Sequence, residues 1–212
     1  AINLSLAVDA RSGPYDCAVP HRHLEHDAAG EIGHWLSWLQ RQGAKKIYPA
    51  GHSRGASQTA AFVAAARRES VAGMVLIAPA PWNGAKLAQQ FAAANGVALE
   101  QALAEADAMP PEELVENIDF LHCRESDVSA ATLLSYYRPR AGKDTPQLLQ
   151  GLQHPPTLLL LGSEDQVVPT GAYPLVSLGP GVTVEVIDGA DHFFRDLYLD
   201  EAVEFIAEFV GH

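Results

Sequence analysis

Residues 45–55, KKIYPAGHSRG, decide the expected fold, because a short apolar run ends there in the pattern Gly-x-Ser-x-Gly. In that pattern a strand turns so tightly into a helix that the two glycine positions leave no room for a side chain. Residues 44–50 are apolar enough for a buried strand, and residues 56–68 are rich in alanine, as a helix should be. Pro49 cannot donate to a strand ladder, so the strand is expected to end early or to bend. The stretch therefore predicts a strand, a turn that exposes Ser53, and a helix.

Length and charge narrow the class of protein. The 212 residues fit one domain with a full core, and the formal net charge is −12 with only 14 lysines and arginines. An acidic chain without a basic cluster is a poor partner for nucleic acid or an anionic membrane. No run of about 18 apolar residues is present, so no membrane span is expected. These features favour a protein that handles small molecules.

The two cysteines, Cys17 and Cys123, do not make a disulfide framework. Two thiols in a chain of this length are the ordinary background of a reduced protein, and a disulfide between them is the minor alternative. No signal peptide is visible, and the chain opens without an initiator methionine. Localisation and oligomeric state therefore stay undetermined.

The order of apolar and polar segments predicts an α/β fold with a mostly parallel sheet flanked by helices. We expect a single domain whose core comprises residues 1–81 and 154–212, with residues 82–153 as a helical, cap-like insert without a convincing strand. The expected strands cover residues 2–8, 44–50, 73–78, 157–161 and 182–187. The expected helices cover residues 85–94, 98–108, 111–120 and 130–137 in the insert, and residues 199–210 at the end of the chain.

Three segments in chain order resemble the α/β-hydrolase superfamily. They are GHSRG at residues 51–55, LGSEDQVVP at residues 161–169, and GADHF at residues 189–193. In that family the segments carry the nucleophile, the acid and the base, in the order Ser, Asp, His. The resemblance implies that Ser53, Asp165 and His192 form a catalytic triad.

The chemistry of each residue type agrees with these roles. A serine hydroxyl needs an imidazole to take its proton, and the imidazole needs a carboxylate to hold its tautomer. The backbone N–H of Arg54, the residue after the nucleophile, is expected to donate to the oxyanion. Two alternatives stay open at this point: Glu164 or Asp191 in place of Asp165, and Ser53 as a turn serine in a noncatalytic relative.

The candidates for the substrate pocket are His52, Trp82, Tyr136, Tyr137 and Phe193. For the aromatic residues of the insert, packing in a core is favoured over contact with substrate.

Residues 21–26, HRHLEH, place His21, His23 and His26 in one loop, a density typical of metal ligands. No matching ligand set occurs elsewhere and an arginine lies among them, so a polar rim of the active site is favoured. No metal and no cofactor are expected.

The predicted activity is that of a serine hydrolase that cleaves a carboxylic ester, or a thioester or lactone, through an acyl-enzyme. One alternative is an acyltransferase with the same triad, and another is a catalytically silent binding protein of the same fold. The expected partner is a small ester-like molecule. The insert is expected to set its identity.

The resemblance also predicts that strands are missing at the amino terminus. Residues 2–8 resemble the family's fourth strand, and nothing after them resembles the loop that supplies the second oxyanion donor. We therefore expect a truncated sheet, with residues 2–8 about 10 Å from the elbow strand, two strand spacings away.

Overall fold

The computed structural model describes residues 2–65, 70–140, 142–150 and 154–211. They belong to two compact units, one of Ala1–Glu31 with Asn83–Arg140 and one of Ile32–Trp82 with Ala141–His212. In chain order the elements are α1 Asp27–Arg41, β1 Ala50–His52, α2 Arg54–Ala65, β2 Met74–Ile77, α3 Gly84–Asn95, α4 Leu99–Asp107, β3 Leu114–Phe120, β4 Cys123–Ser129, α5 Ala130–Tyr137, α6 Thr145–Gln150, β5 Thr157–Gly162, β6 Val182–Ile187 and α7 Leu197–Gly211. The single-domain division of the chain stays a prediction.

The second unit is built on a parallel sheet with strand order β1-β2-β5-β6. Every residue of β5, TLLLLG, is buried, because helices cover both faces of a central parallel strand. Helix α2 packs against β1 and β2, and α7 packs against β5 and β6. The α/β class and the mostly parallel sheet are therefore confirmed. All four strands have their carboxyl ends at the same edge of the sheet.

The strand before the elbow is shorter than expected. Ile47 forms an isolated parallel bridge with Val71, and regular pairing begins only at Ala50. Pro49 lies between these two contacts and uses only its carbonyl, which accepts the Val75 N–H at 3.0 Å. Pro49 therefore interrupts the pairing, but the strand does not end early as one expectation had it. The predicted bounds of residues 44–50 are wrong because the regular ladder runs through the residues that follow the proline.

The first unit contains a hairpin in place of a predicted helix. The sequence predicts a helix over residues 111–120, but Leu114–Phe120 pairs antiparallel with Cys123–Ser129. The hairpin buries Ile118, Phe120 and Val128 in a core that α3, α4 and α5 complete. Burial of one face by these partners outweighs the helical signal of two prolines followed by two glutamates. The expectation that residues 82–153 contain no strand is therefore wrong.

Two helices of this unit, α3 and α5, begin at residues whose side chains cap them, and α3 also ends at a glycine. Asn83 caps α3 by accepting the Lys86 N–H at 2.9 Å, and Gly96 ends it with a left-handed φ of 68°. Ser129 caps α5 by accepting the Thr132 N–H at 3.2 Å.

Residues 2–8 do not form the expected strand. They run as turns and irregular backbone, with Leu6 and Ala7 at positive φ. The Ser5 N–H and hydroxyl each donate to the Glu31 carboxylate at 2.7 Å, which holds this segment by its polar groups. An apolar composition alone did not make it a strand, because a strand also needs a neighbour to pair with. Because residues 2–8 form no strand, the expected strand-to-strand distance between them and the elbow strand is not defined.

The two cysteines are joined, which corrects the expectation of free thiols. Cys17 and Cys123 form a disulfide within the first unit, with 5.3 Å between their Cα atoms. Their 106-residue separation in sequence hid the pairing, since only the folded hairpin brings them together.

Candidate active site

The elbow places Ser53 at the carboxyl end of β1. Ser53 has a left-handed φ of 54°, and its N–H donates to the Ile77 carbonyl of the neighbouring strand at 2.8 Å. A left-handed conformation costs a non-glycine residue about 1 kcal/mol or more, so the surrounding turn must hold it. A Cβ on Gly51 would lie 2.5 Å from the Gly55 carbonyl oxygen, whereas a Cβ on Gly55 would meet nothing within 4 Å. The expected lack of room is thus confirmed at Gly51 and wrong at Gly55.

His192 connects the elbow to a buried carboxylate. Its Nε2 lies 2.9 Å from Ser53 Oγ, and its Nδ1 lies 2.7 Å from Asp165 Oδ2. An ionised carboxylate only accepts hydrogen bonds, so Nδ1 carries the proton and Nε2 presents a lone pair to the serine hydroxyl. The structure therefore brings together the three residues that the sequence predicted.

Asp165 is held by backbone donors as well as by the imidazole. Only 2% of the residue is exposed, and its Oδ1 accepts the N–H groups of Val167 at 2.8 Å and Val168 at 2.7 Å. A buried carboxylate is costly unless it is hydrogen-bonded. These two donors satisfy one oxygen and leave the other for His192.

The two alternative acids have other surroundings. Glu164 is exposed, and Asp191 accepts the Phe193 N–H at 2.9 Å and lies 3.8 Å from the Arg195 guanidinium. Within the described residues, neither carboxylate has a hydrogen bond to His192. The geometry therefore favours Asp165 as the carboxylate partner.

The loop that carries Asp165 packs directly on the loop that carries His192. A Cβ on Gly162 would collide with the Ala190 carbonyl, and the Glu164 N–H donates to that same carbonyl at 3.0 Å. Ser163 continues the link, since its hydroxyl donates to Asp188 at 3.1 Å and accepts the Gly189 N–H at 2.8 Å. Sequence reasoning missed Ser163, although a hydroxyl at the first position after a strand is a signal for such loop bonding.

His52, predicted as a pocket residue, contacts the base loop. Its Nε2 lies 2.7 Å from the His192 backbone oxygen, which can only accept, so His52 Nε2 carries a proton. The two rings lie 4.9 Å apart. This contact fixes the backbone of the residue that carries the imidazole.

The remaining pocket candidates fall into both units. In the second unit, the Phe193 side chain is 58% exposed with its ring 5.3 Å from the His192 ring, and Trp82 has the Lys143 ammonium 4.6 Å from its ring centroid. In the first unit, Tyr136 and Tyr137 pack in the core of that unit. Contact of any of these residues with substrate stays a prediction.

Arg54 is the first residue of α2, so its backbone lies at the positive end of the helix dipole.

Tyr173 lies in the segment that follows Asp165. Its hydroxyl donates to the carbonyl of Pro79, just beyond β2, at 2.6 Å. Burial raises the pKa of Tyr173, and Asp144 raises it further. The hydroxyl therefore stays protonated and holds the segment after Asp165 to the end of β2.

The histidine-rich loop is not a polar rim. His21 and His23 are fully buried in the first unit, with His21 Nδ1 3.1 Å from His23 Nε2 and His23 Nδ1 2.9 Å from the Tyr136 hydroxyl. Burial, followed by the charge of His122, lowers the pKa of His21 to about 4. His26 is exposed. His21 and His23 thus belong to a buried network, in which the lowered pKa keeps His21 neutral near neutral pH, and this corrects the expected rim.

Comparison with known proteins places the chain among hydrolases. The model of the "Alpha/beta hydrolase family" matches residues 6–209. A monoacylglycerol lipase of Paleococcus ferrophilus superposes with a TM-score of 0.58 at 16% identity, covering 90% of this chain and 77% of that one. Est1E from Butyrivibrio proteoclasticus gives 0.58 at 18% identity, covering 91% and 73%. An E-2-(acetamidomethylene)succinate hydrolase gives 0.56 at 20% identity, covering 89% and 74%.

A comparison with curated proteins gave no match. Among the described residues, no helix has the length and apolar character that crossing a membrane requires.

Proposed function

We propose that this chain, which belongs to the alpha/beta hydrolase family, is a serine hydrolase. It cleaves a carboxylic ester through an acyl-enzyme on Ser53. Family membership supports hydrolase activity in general. The observation that carries the finer proposal is the continuous series of hydrogen bonds from Asp165 through His192 to Ser53. Such a series is what a serine needs to become a nucleophile near neutral pH.

In the first half-reaction, His192 Nε2 takes the Ser53 hydroxyl proton while Oγ attacks the ester carbonyl carbon. The carbonyl oxygen becomes an oxyanion, to which the Arg54 N–H donates, a contact typically worth about 3 kcal/mol in the transition state. The imidazolium then gives its proton to the leaving alcohol as the C–O bond breaks. The product of this half-reaction is the acyl group bound to Ser53.

In the second half-reaction, water attacks the acyl-enzyme and His192 takes one of its protons. Collapse of the second tetrahedral intermediate returns a proton to Ser53 and releases the carboxylic acid. Throughout, Asp165 holds Nδ1–H and stabilises the imidazolium without itself taking the proton. The two N–H donors of Val167 and Val168 keep the carboxylate in place for this purpose.

The substrate is an ester, thioester or lactone of a small molecule, since the same steps serve each of these groups. Phe193 and Trp82 are the residues of the second unit that we propose for its pocket, because Phe193 exposes an apolar ring beside His192. His52 supports the base and is proposed as part of the pocket wall.

The test is hydrolysis of a series of p-nitrophenyl esters by the parent and by Ser53→Ala, together with labelling by a fluorophosphonate. We expect Ser53→Ala to lower kcat by roughly a million-fold and to abolish labelling. Ser177→Ala is the matched control, since among the described residues its hydroxyl donates to the Pro174 carbonyl of its own turn and to no group near Ser53. Retained activity in Ser53→Ala, or label on another residue, would refute the proposal.

A further inference from the structure

The first unit holds a cluster of side chains that the proposed hydrolysis does not use. One ligand atom from each of Cys17, His122 and Cys123 lies within 4.8 Å of the other two. Cys17 and His122 are exposed, whereas Cys123 is buried, so the cluster opens to solvent on one side. Two sulfurs and an imidazole nitrogen are the ligand types that zinc prefers.

We propose that Cys17, His122 and Cys123 form a zinc site under thiol–disulfide control, closed to metal when the disulfide is formed and open when it is reduced. The inference does not depend on the proposed hydrolase activity. A dithiol is the class of reductant that opens the site. The metal takes the place of the disulfide as the link between the loop and the hairpin.

The chemistry balances in two steps. A thiolate of the dithiol attacks Sγ of Cys17, the more exposed of the two cysteines, the S–S bond breaks, and Cys123 leaves as a thiolate. The second thiol of the reductant resolves the mixed disulfide, so that two electrons pass from the dithiol to the protein and the dithiol becomes a disulfide. Zn²⁺ then binds two thiolates, and the two protons of the cysteine thiols are released to solvent.

The geometry needs only small movements. Tetrahedral zinc with Zn–S bonds of about 2.3 Å sets its two sulfurs about 3.8 Å apart, and an imidazole nitrogen lies at a similar separation from each sulfur. Ligand atoms that already lie within 4.8 Å of one another therefore reach these positions by shifts on the order of 1 Å. Solvent on the exposed side supplies the fourth ligand.

The segment that carries Cys17 is fixed on both sides without the disulfide. His21 bridges Val128 of β4, with its N–H donating to Asp127 at 2.8 Å and its carbonyl accepting the Ser129 N–H at 2.9 Å. Tyr15 is buried, stacks on the His21 ring at 4.3 Å, and donates its hydroxyl to the Pro20 carbonyl at 3.0 Å. Reduction therefore leaves Cys17 within reach of Cys123 instead of freeing a long loop.

The turn of the hairpin places the other two ligands. Phe120 pairs with Cys123 across a turn formed by Leu121 and His122, and Leu121 adopts a left-handed φ of 58°. This turn presents the His122 imidazole beside the sulfur of the next residue. Two thiolate charges match the charge of one Zn²⁺, and the acidic chain as a whole attracts cations.

The experiment titrates Zn²⁺ into the full chain by calorimetry, once in the oxidised form and once after reduction by a trialkylphosphine and its removal without air. We expect one Zn²⁺ per reduced chain, bound at least 100-fold more tightly than to the oxidised chain. Co²⁺ should give the thiolate charge-transfer and tetrahedral absorption bands only with the reduced chain. Circular dichroism reports whether the reduced chain keeps its fold.

Two histidine variants assign the site, and both leave the disulfide in place. His122→Ala should weaken zinc binding to the reduced chain by about tenfold or more, and His26→Ala, an exposed histidine of the same unit, should not change it. Equal affinity of the oxidised and reduced chains would overturn the proposal. Full affinity in His122→Ala, or zinc bound only by a reduced chain that has unfolded, would overturn it equally.

Discussion

Replacing Asp165 by asparagine should lower kcat for ester hydrolysis by about 30-fold to 10⁴-fold, and the structure shows why. Asp165 Oδ1 accepts the N–H groups of Val167 and Val168, so the amide oxygen of an asparagine must take that position. The NH₂ group then faces His192 Nδ1 in place of Oδ2. His192 must accept there, which moves its proton to Nε2 and leaves no lone pair for the Ser53 hydroxyl.

Activity would return only through the opposite orientation of the amide. That orientation points the NH₂ group at two backbone N–H groups and leaves both without an acceptor. Each donor left unsatisfied beside the buried side chain of residue 165 costs about 1–3 kcal/mol, so the productive orientation lies about 2–6 kcal/mol higher. At 1.36 kcal/mol per decade this gives the expected loss of about 30-fold to 10⁴-fold.

The assay is steady-state hydrolysis of a p-nitrophenyl ester by Asp165→Asn and by Glu164→Gln. The control makes the same chemical change one residue earlier, on an exposed carboxylate. We expect Glu164→Gln to keep kcat within about twofold of the parent, because among the described residues no hydrogen bond joins Glu164 to the His192 imidazole. Asp165→Asn within tenfold of the parent, or a large loss in Glu164→Gln, would refute the reasoning about the tautomer.

Three further predictions concern other contacts. His52→Leu removes the donor to the His192 carbonyl and should lower kcat about tenfold, whereas His52→Gln should recover part of the loss; equal kcat in the two variants would contradict this. Gly51→Ala should destabilise the fold by about 3 kcal/mol or more in urea unfolding, because its Cβ would lie 2.5 Å from a carbonyl oxygen, whereas Gly55→Ala should be neutral or stabilising. The pKa of His21 is lowered from 6.5 to about 4, so the folded state binds fewer protons than the unfolded state between these pH values. The free energy of unfolding should therefore be highest above pH 6.5 and fall by up to about 3 kcal/mol as the pH drops towards 4. His21→Phe should make the free energy of unfolding depend less on pH over this range in acid unfolding.

The features that the sequence predicted best are those that depend on a few residues close together in the chain. The elbow and the segments around Asp165 and His192 are short loops directly after strands, and parallel strands bring their carboxyl ends to one edge. Convergence of the three side chains then follows from topology. Gly51 was recognised for the same reason, since its constraint comes from residues four positions away.

Features that depend on distant partners were not predictable. Residues 111–120 carry a helical start signal, and only pairing with Cys123–Ser129 makes part of them a strand. The disulfide needs two residues 106 positions apart to meet at that hairpin. Residues 2–8 show the reverse case, an apolar run that pairs with no strand in the part of the chain that the structure describes. The contact of His52 with the base loop likewise joins residues 140 positions apart.

The direct packing of Gly162 against Ala190 has a consequence for engineering and for divergence between relatives. Because backbone meets backbone there, the two loops act as a fixed spacer between carboxylate and imidazole, and neither can lengthen alone without changing that distance. A transplant of residues 162–169 from another hydrolase should therefore succeed only together with residues 188–193. Substrate specificity is better changed in segments outside these two loops, because insertions there leave the distance between the Asp165 carboxylate and the His192 imidazole unchanged.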